Sequence, residues 1–362
     1  MRFVDEFHDP ALAGKLARSI AGVSTKPVQF MEFCGGHTHA ILRHGIRDLL
    51  PPTVRMRSGP GCPVCVTSMR DIDRAIALAS IPGAIVATYG DLVRVPGSGT
   101  TLERVRAKGA DIRVVYSAGD ALQIAEQNPD RQVVLLGIGF ETTAPTVAAS
   151  VIEAASKGLT NYRVISFLKL TPPVMRALLD SGETRIDGIV CPGHVSVVIG
   201  THPYDFIPRL YRVGCVVSGF EPLDILRTIQ LLVEQAEQGA PSVVNAYPRV
   251  VQADGNPVAL TMMDEVFEPC DAEWRGIGTI QGSGLALRPQ FRRFDANAAF
   301  DIQVESFPEP PGCRCGDILR GVAEPIDCSL FARSCTPTHP IGPCMVSNEG
   351  ACAAHYRYSI GA

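Results

Sequence analysis

Between residue 25 and about residue 245, short apolar runs alternate with segments whose apolar positions recur at helical spacing. "PVQFMEF" reads as a strand and 37–49 as a helix. "TVRMRS" is a strand, followed by a helix over 66–80 with Ile72, Ile76 and Ala79 on one face. "AIVATYG", "IRVVYS", "VVLLGIG", "RVISFLK", "GIVC" and "CVVSGF" continue the series. Helical patterns lie between them at 100–108, 119–127, 143–157, 172–180 and 222–238. Continuous apolar strands separated by helices indicate parallel sheets covered on both faces, an α/β fold. That many strands exceed one comfortable sheet. A division near residue 120 gives two α/β domains, 25–120 and 121–245, with a cleft between them. They share a strand–loop–helix grammar but no sequence repeat.

The pattern changes after "NAYPRVV". "QADGNPVAL" places Asp254-Gly255 between two apolar runs, a hairpin signal. Past residue 305, Pro, Gly and Cys dominate, as in "FPEPPGCRCGD" and "CTPTHPIGPC". So little regular structure needs another tie, and a metal is the expected one. Residues 246–362 are therefore expected to form a loop-rich C-terminal domain. Residues 1–24 read as a helix, with that domain as one expected place for it to pack.

Composition sharpens this picture. The chain has 362 residues, 46% of them hydrophobic, and a mean hydropathy of +0.14, ample for large cores. The net charge of −4 is spread among interspersed acids and bases, with no basic stripe for nucleic acid. No apolar run approaches the roughly 20 residues of a membrane span. "MRFVDEFHDP" has acids where a signal peptide is basic and then apolar. A soluble, cytoplasmic protein is expected. Twelve cysteines in a reducing compartment then point to metal binding or thiol chemistry.

Four motifs fall at strand-to-helix loops, where open parallel sheets bind ligands. They are "CGGHTH", "SGPGCPVC", "GFETT" and "CPGHV". Cys62 and Cys65 form a Cys-x-x-Cys at an expected helix start, where N–H groups favour a thiolate. It reads as a redox pair or as half of a zinc site. In "CGGHTH", Gly35 and Gly36 permit close approach to whatever Cys34 holds. His37 and His39, two apart on a helix, would diverge rather than chelate one ion. The bland alternative is a tight turn with a buried cysteine. Glu141, Thr142 and Thr143 read as a helix start, with the threonines explained by capping. "GIGFET" lacks the third glycine of a dinucleotide fingerprint, and no Walker A pattern occurs. His194 on its Pro-Gly turn is structural or functional with equal ease. Cys313, Cys315, Cys328, Cys335, Cys344 and Cys352 suit one four-cysteine cluster plus a thiol pair, or one zinc with two spectators. An iron–sulfur thiol oxidoreductase of ferredoxin–thioredoxin reductase type is one functional reading of these residues. A structural zinc protein is another.

Taken together, "FCGGHTH", "SGPGCPVC", "YGD", "GFETT", "CPGHV" and "GPCMVSNEGACAAHY" resemble the HypD family of hydrogenase maturation proteins across the whole chain. The resemblance implies two α/β domains and a third domain carrying a 4Fe-4S cluster. It implies a scaffold on which iron receives two cyanides and one carbon monoxide for nickel–iron hydrogenase. Its implied partners are the chaperone HypC, the cyanide donor HypE and, indirectly, the hydrogenase large subunit. The family's cluster ligands fall on Cys313, Cys328, Cys335 and Cys352. Cys315 and Cys344 are left as a thiol pair expected to pass electrons toward Cys62 and Cys65. Cys34 would hold the iron, with Gly35 and Gly36 leaving room for its diatomic ligands. His37 or His194 would hydrogen-bond cyanide nitrogens. Glu141, Thr142 and Thr143 would line the opposite wall, where HypE meets it.

Overall fold

The computed structural model describes residues 5–305 and 307–360. Its strands are β1 (Val28–Glu32), β2 (Val54–Ser58), β3 (Ala84–Thr88), β4 (Asp111–Val114), β5 (Gln132–Gly139), β6 (Tyr162–Leu168), β7 (Gly188–Pro192), β8 (Gly214–Ser218), β9 (Val243–Asn245), β10 (Phe267–Trp274) and β11 (Gly278–Leu287). One sheet runs β2-β1-β7-β8-β9 and a second β4-β3-β5-β6; both are parallel throughout. The chain leaves the first sheet after β2, builds the second, and returns at β7.

The α/β class and the two parallel sheets agree with the sequence pattern, but the division near residue 120 does not. That point lies between β4 and β5, and both strands pair with β3. Ile85 stands opposite Asp111, and Ala84 opposite Gln132. Apolar runs report that a strand is buried, not which strand lies beside it, and parallel crossovers allow long excursions.

Local chemistry breaks two of the expected helices. The pattern over 37–49 splits into Gly35–Arg43 and Ile46–Leu49 around Gly45, whose φ of +61° only glycine adopts cheaply. The pattern over 66–80 splits into Pro63–Val66 and Met69–Ala79. Ser68 caps the second piece by accepting from the Asp71 N–H at 3.1 Å.

The Asp254-Gly255 turn makes no hairpin. Asn256 beyond it accepts from Val258 N (3.0 Å) and Ala259 N (3.1 Å) and starts helix Pro257–Val266. Pro at the first helical position favours that outcome. The antiparallel hairpin is β10–β11, lying against the end of β6, where Leu170 N donates to Ser283 O at 2.8 Å. Helix Pro257–Val266 packs on helix Ala144–Ser156. Residues 257–287 thus complete the second sheet's layer, and the loop-rich cysteine segment begins only past Phe300. Helix Pro10–Val23, capped by Asp9, lies on helix Pro222–Gln238, with Ile20 in one cluster with Ile225 and Ile229. It belongs with the first sheet, not with the C-terminal segment. Met1–Val4 lie outside the described residues. No described helix is long and apolar enough to cross a membrane.

Candidate functional site

Cys34 follows β1 and sits at the N-cap of helix Gly35–Arg43. Two loops press together there. Gly35 N donates to Gly61 O at 3.0 Å, and a Cβ on Gly61 would stand 2.3 Å from Cys34 N. The other glycines face different neighbours. A Cβ on Gly35 would meet the Glu349 backbone at 2.4 Å, so that side is filled by protein, not left for a ligand. A Cβ on Gly36 would lie 3.5 Å from the Cys34 sulfur. The Phe220 ring would be nearer, at 3.0 Å, so Gly36 makes room for that ring.

Cys34 is half-buried. Burial, then the charge of Glu349, push its thiol up to about 12; Glu32 adds to the rise, while the N–H groups of Gly36 and His37 oppose it. A thiol held that high is a poor free nucleophile at neutral pH. A bound cation is what deprotonates such a group. The electrostatics therefore favour a metal ligand over a nucleophile.

His37 is fully buried, stacks on Phe220 with ring centroids 4.5 Å apart, and donates from Nε2 to Gly219 O at 3.0 Å. Burial drops its pKa to about 4, so the ring is neutral and its Nδ1, without a hydrogen-bond partner among the described residues, is an acceptor. His194 stacks on the same Phe220 at 3.9 Å but is exposed. His39 shares a 3.1 Å hydrogen bond with the Tyr358 hydroxyl, a structural tie to the C-terminal segment.

Cys62 and Cys65 are joined in a disulfide. Cys62 caps helix Pro63–Val66, and Cys65 Sγ lies 3.9 Å from Pro343 O, one residue from Cys344. The helix therefore connects the strand ends to the cysteine segment. There Cys313, Cys315, Cys328, Cys335, Cys344 and Cys352 line one small cavity with Ile318, Leu330, Phe331 and Met345. Cys315 Sγ and Cys344 Sγ are 2.7 Å apart.

Glu141 does not face outward. Its carboxylate accepts from Thr171 N (2.7 Å) and Thr171 Oγ1 (2.8 Å) and is buried at the start of helix Thr171–Ser181. Thr142 is exposed, and Thr143 heads helix Ala144–Ser156 without a side-chain capping bond. Burial raises Glu141 to about 7. The unfolded chain, with its ordinary carboxylate near 4.5, loses that proton first. The folded chain then holds more protons between pH 4.5 and 7, and stability falls as pH rises through that window. Glu141→Gln is expected to remove that loss, on the order of 3 kcal/mol. A urea midpoint that varies less between about pH 5 and 8 is the readout; an unchanged slope would contradict this.

Several residues of the site escaped the sequence pattern. Glu32, buried at the end of β1, accepts from Cys34 N at 3.3 Å and from the Thr38 hydroxyl. An acid closing a largely apolar strand was its available signal. Phe220 also ends a strand run, but aromatic residues are ordinary there. Glu349 reaches Cys34 from the far C-terminal segment, which no local pattern reveals.

These features define a protein of two parallel α/β sheets with one thiol at a strand end, a Cys62–Cys65 disulfide beside it and six cysteines around a separate cavity. The chain belongs to the HypD family of hydrogenase maturation factors. Residues 11–359 match the family's sequence model, described as the hydrogenase formation hypA family. Hydrogenase maturation factor HypD of Cupriavidus necator is 50% identical over 369 residues, covering 99% of this chain and 97% of that protein. HypD2 of Bradyrhizobium diazoefficiens is 49% identical with the same coverage. HypD of Escherichia coli is 43% identical, covering 99% and 98%.

Proposed function

We propose that this maturation factor is the scaffold on which iron, its cargo, acquires two cyanides and one carbon monoxide. A HypC-type chaperone supplies a second thiolate, a HypE-type protein donates cyanide, and the hydrogenase large subunit is the final recipient. The observation that carries this reading is Cys34: a half-buried thiol at a strand end, too basic to act alone, with the Gly36 N–H directed at it. Low-spin iron favours such soft donors. The Gly36 N–H stabilises the thiolate once iron has displaced its proton. His194, exposed beside Phe220, is the ring free to donate to a cyanide nitrogen. Neutral His37 has spent its N–H on Gly219 O, so it positions Phe220 and the Gly219 loop instead.

The cysteine cavity fits a 4Fe-4S cluster. Its lining is thiol and hydrocarbon. Iron–sulfur clusters are held by cysteine thiolates, the donor set that lines this cavity. Cys313, Cys328, Cys335 and Cys352 would hold it, and when bound it supplies single electrons. Cys315 and Cys344 then form the dithiol that meets the Cys62–Cys65 disulfide. Two thiols of one pair become a disulfide, the other disulfide becomes two thiols, and two electrons and two protons move.

The oxidoreductase alternative is weaker because all four of these cysteines are buried, which leaves no open disulfide for a protein substrate. Cys315→Ala with Cys344→Ala is expected to reduce hydrogenase maturation to background while leaving the fold intact. Full maturation by that variant would refute the relay.

A further inference from the structure

His194 and Phe220 leave the ends of neighbouring strands that finish level, with Pro192 of β7 opposite Ser218 of β8. Their rings stack with centroids 3.9 Å apart. A glycine precedes each of them, Gly193 and Gly219. Neither glycine has a left-handed φ, so what each supplies is room. One side chain takes up that room at both positions. A Cβ on Gly193 would stand 3.1 Å from Tyr247 Cδ1, and a Cβ on Gly219 would stand 2.8 Å from Tyr247 Cε2.

The Tyr247 ring is held in turn. The Arg249 guanidinium lies 4.4 Å from its centroid and 4.2 Å from that of Phe7. Buried Asp224 fixes that guanidinium by accepting from Nη1 at 2.8 Å and from Nη2 as well. The same carboxylate lies against the second turn, where a Cβ on Gly219 would stand 2.1 Å from Asp224 Oδ2. One clamped ring therefore touches both turns that carry the stacked pair. Groups that fix the direction of a hydrogen-bond donor tune a bound metal unit nearly as strongly as its ligands do.

We propose that Tyr247 is a positioning residue for His194. Its ring sets the spacing of the two strand-end turns, keeps the imidazole stacked on Phe220, and so aims its N–H at a cyanide on the iron. This rests on the role given to His194 above.

The test uses the full chain in two states. In the free protein, carrying isotopically labelled histidine, the ring protons of His194 are expected to be displaced by the stacked Phe220. Their signal is the one missing from His194→Gln. Tyr247→Leu keeps apolar bulk but removes the flat ring, and the His194 signal is expected to move to the position of an unstacked histidine. Tyr247→Phe keeps both ring-carbon contacts and is expected to leave it in place. In the pair isolated with HypC, His194→Gln is expected to displace the cyanide stretches. Tyr247→Leu is expected to displace them in the same direction, and the two changes together no further than His194→Gln alone. Should Tyr247→Leu fold poorly, Arg249→Gln with Asp224→Asn withdraws both charges of the clamp, leaves the ring, and is expected to move both readouts the same way.

The role of Tyr247 alone would be overturned by any of three results. These are an unmoved His194 signal in Tyr247→Leu, a displacement of the stretches that adds to that of His194→Gln, or failure of Tyr247→Phe to keep the unmodified spectra. Unmoved stretches in His194→Gln would overturn the cyanide contact of His194 and the proposal with it. An unmodified pair without cyanide stretches would overturn the scaffold reading as well.

Discussion

With Cys34 replaced by alanine, the protein isolated together with HypC is expected to carry no iron–cyanide unit, while its brown C-terminal chromophore persists. The two expectations separate because the two thiol sets are separate. Cys34 stands just past the end of β1, against Gly61. The six other cysteines enclose their own cavity. The change removes one sulfur from a half-buried position, so the fold should lose little. The loss of iron carriage should be large, because the change removes the soft thiol donor and the nearby Glu32 carboxylate is taken up by Thr38 and the Cys34 N–H. Retained cyanide stretches in the infrared spectrum of this variant would contradict the role given to Cys34.

Gly61→Ala is expected to be as damaging without touching a reactive group. The added methyl would lie 2.3 Å from Cys34 N, 2.5 Å from its Cα and 2.5 Å from the Phe33 carbonyl carbon. All three are backbone atoms at the end of a buried strand, so no side chain can swing aside. Overpacking of this kind costs about 1–3 kcal/mol, and here the strain is relieved only by moving the Cys34 turn. The variant should lower the urea midpoint and lose iron carriage together. Gly22→Ala is the control. Its Cβ meets nothing within 4 Å inside helix Pro10–Val23, and it should raise stability by about 0.5–1 kcal/mol. Wild-type iron carriage by Gly61→Ala would mean that the contact between the two loops does not position Cys34.

The α/β class was legible in the sequence because a strand buried on both faces must be apolar throughout, and "VVLLGIG" and "GIVC" are. The partnering of strands was not, because β2 and β3 are consecutive yet lie in different sheets. The loops bearing Cys34, Cys62 and His194 were legible through the rule that parallel sheets act at their carboxyl ends. Glu141 obeys the same rule but turns inward onto Thr171, a choice set by tertiary contact. Glu349 lies hundreds of residues from Cys34 in sequence and carries no local pattern, and only the fold brings it to that thiol.

The central claim is that this chain, with HypC, carries iron bearing cyanide and carbon monoxide. An infrared spectrum of the co-purified pair tests it most directly. Two cyanide stretches and one carbonyl stretch are predicted, absent when Cys34 is alanine. A pair that is stably associated and brown but lacks those bands when isolated from cells with active hydrogenase maturation would contradict the account.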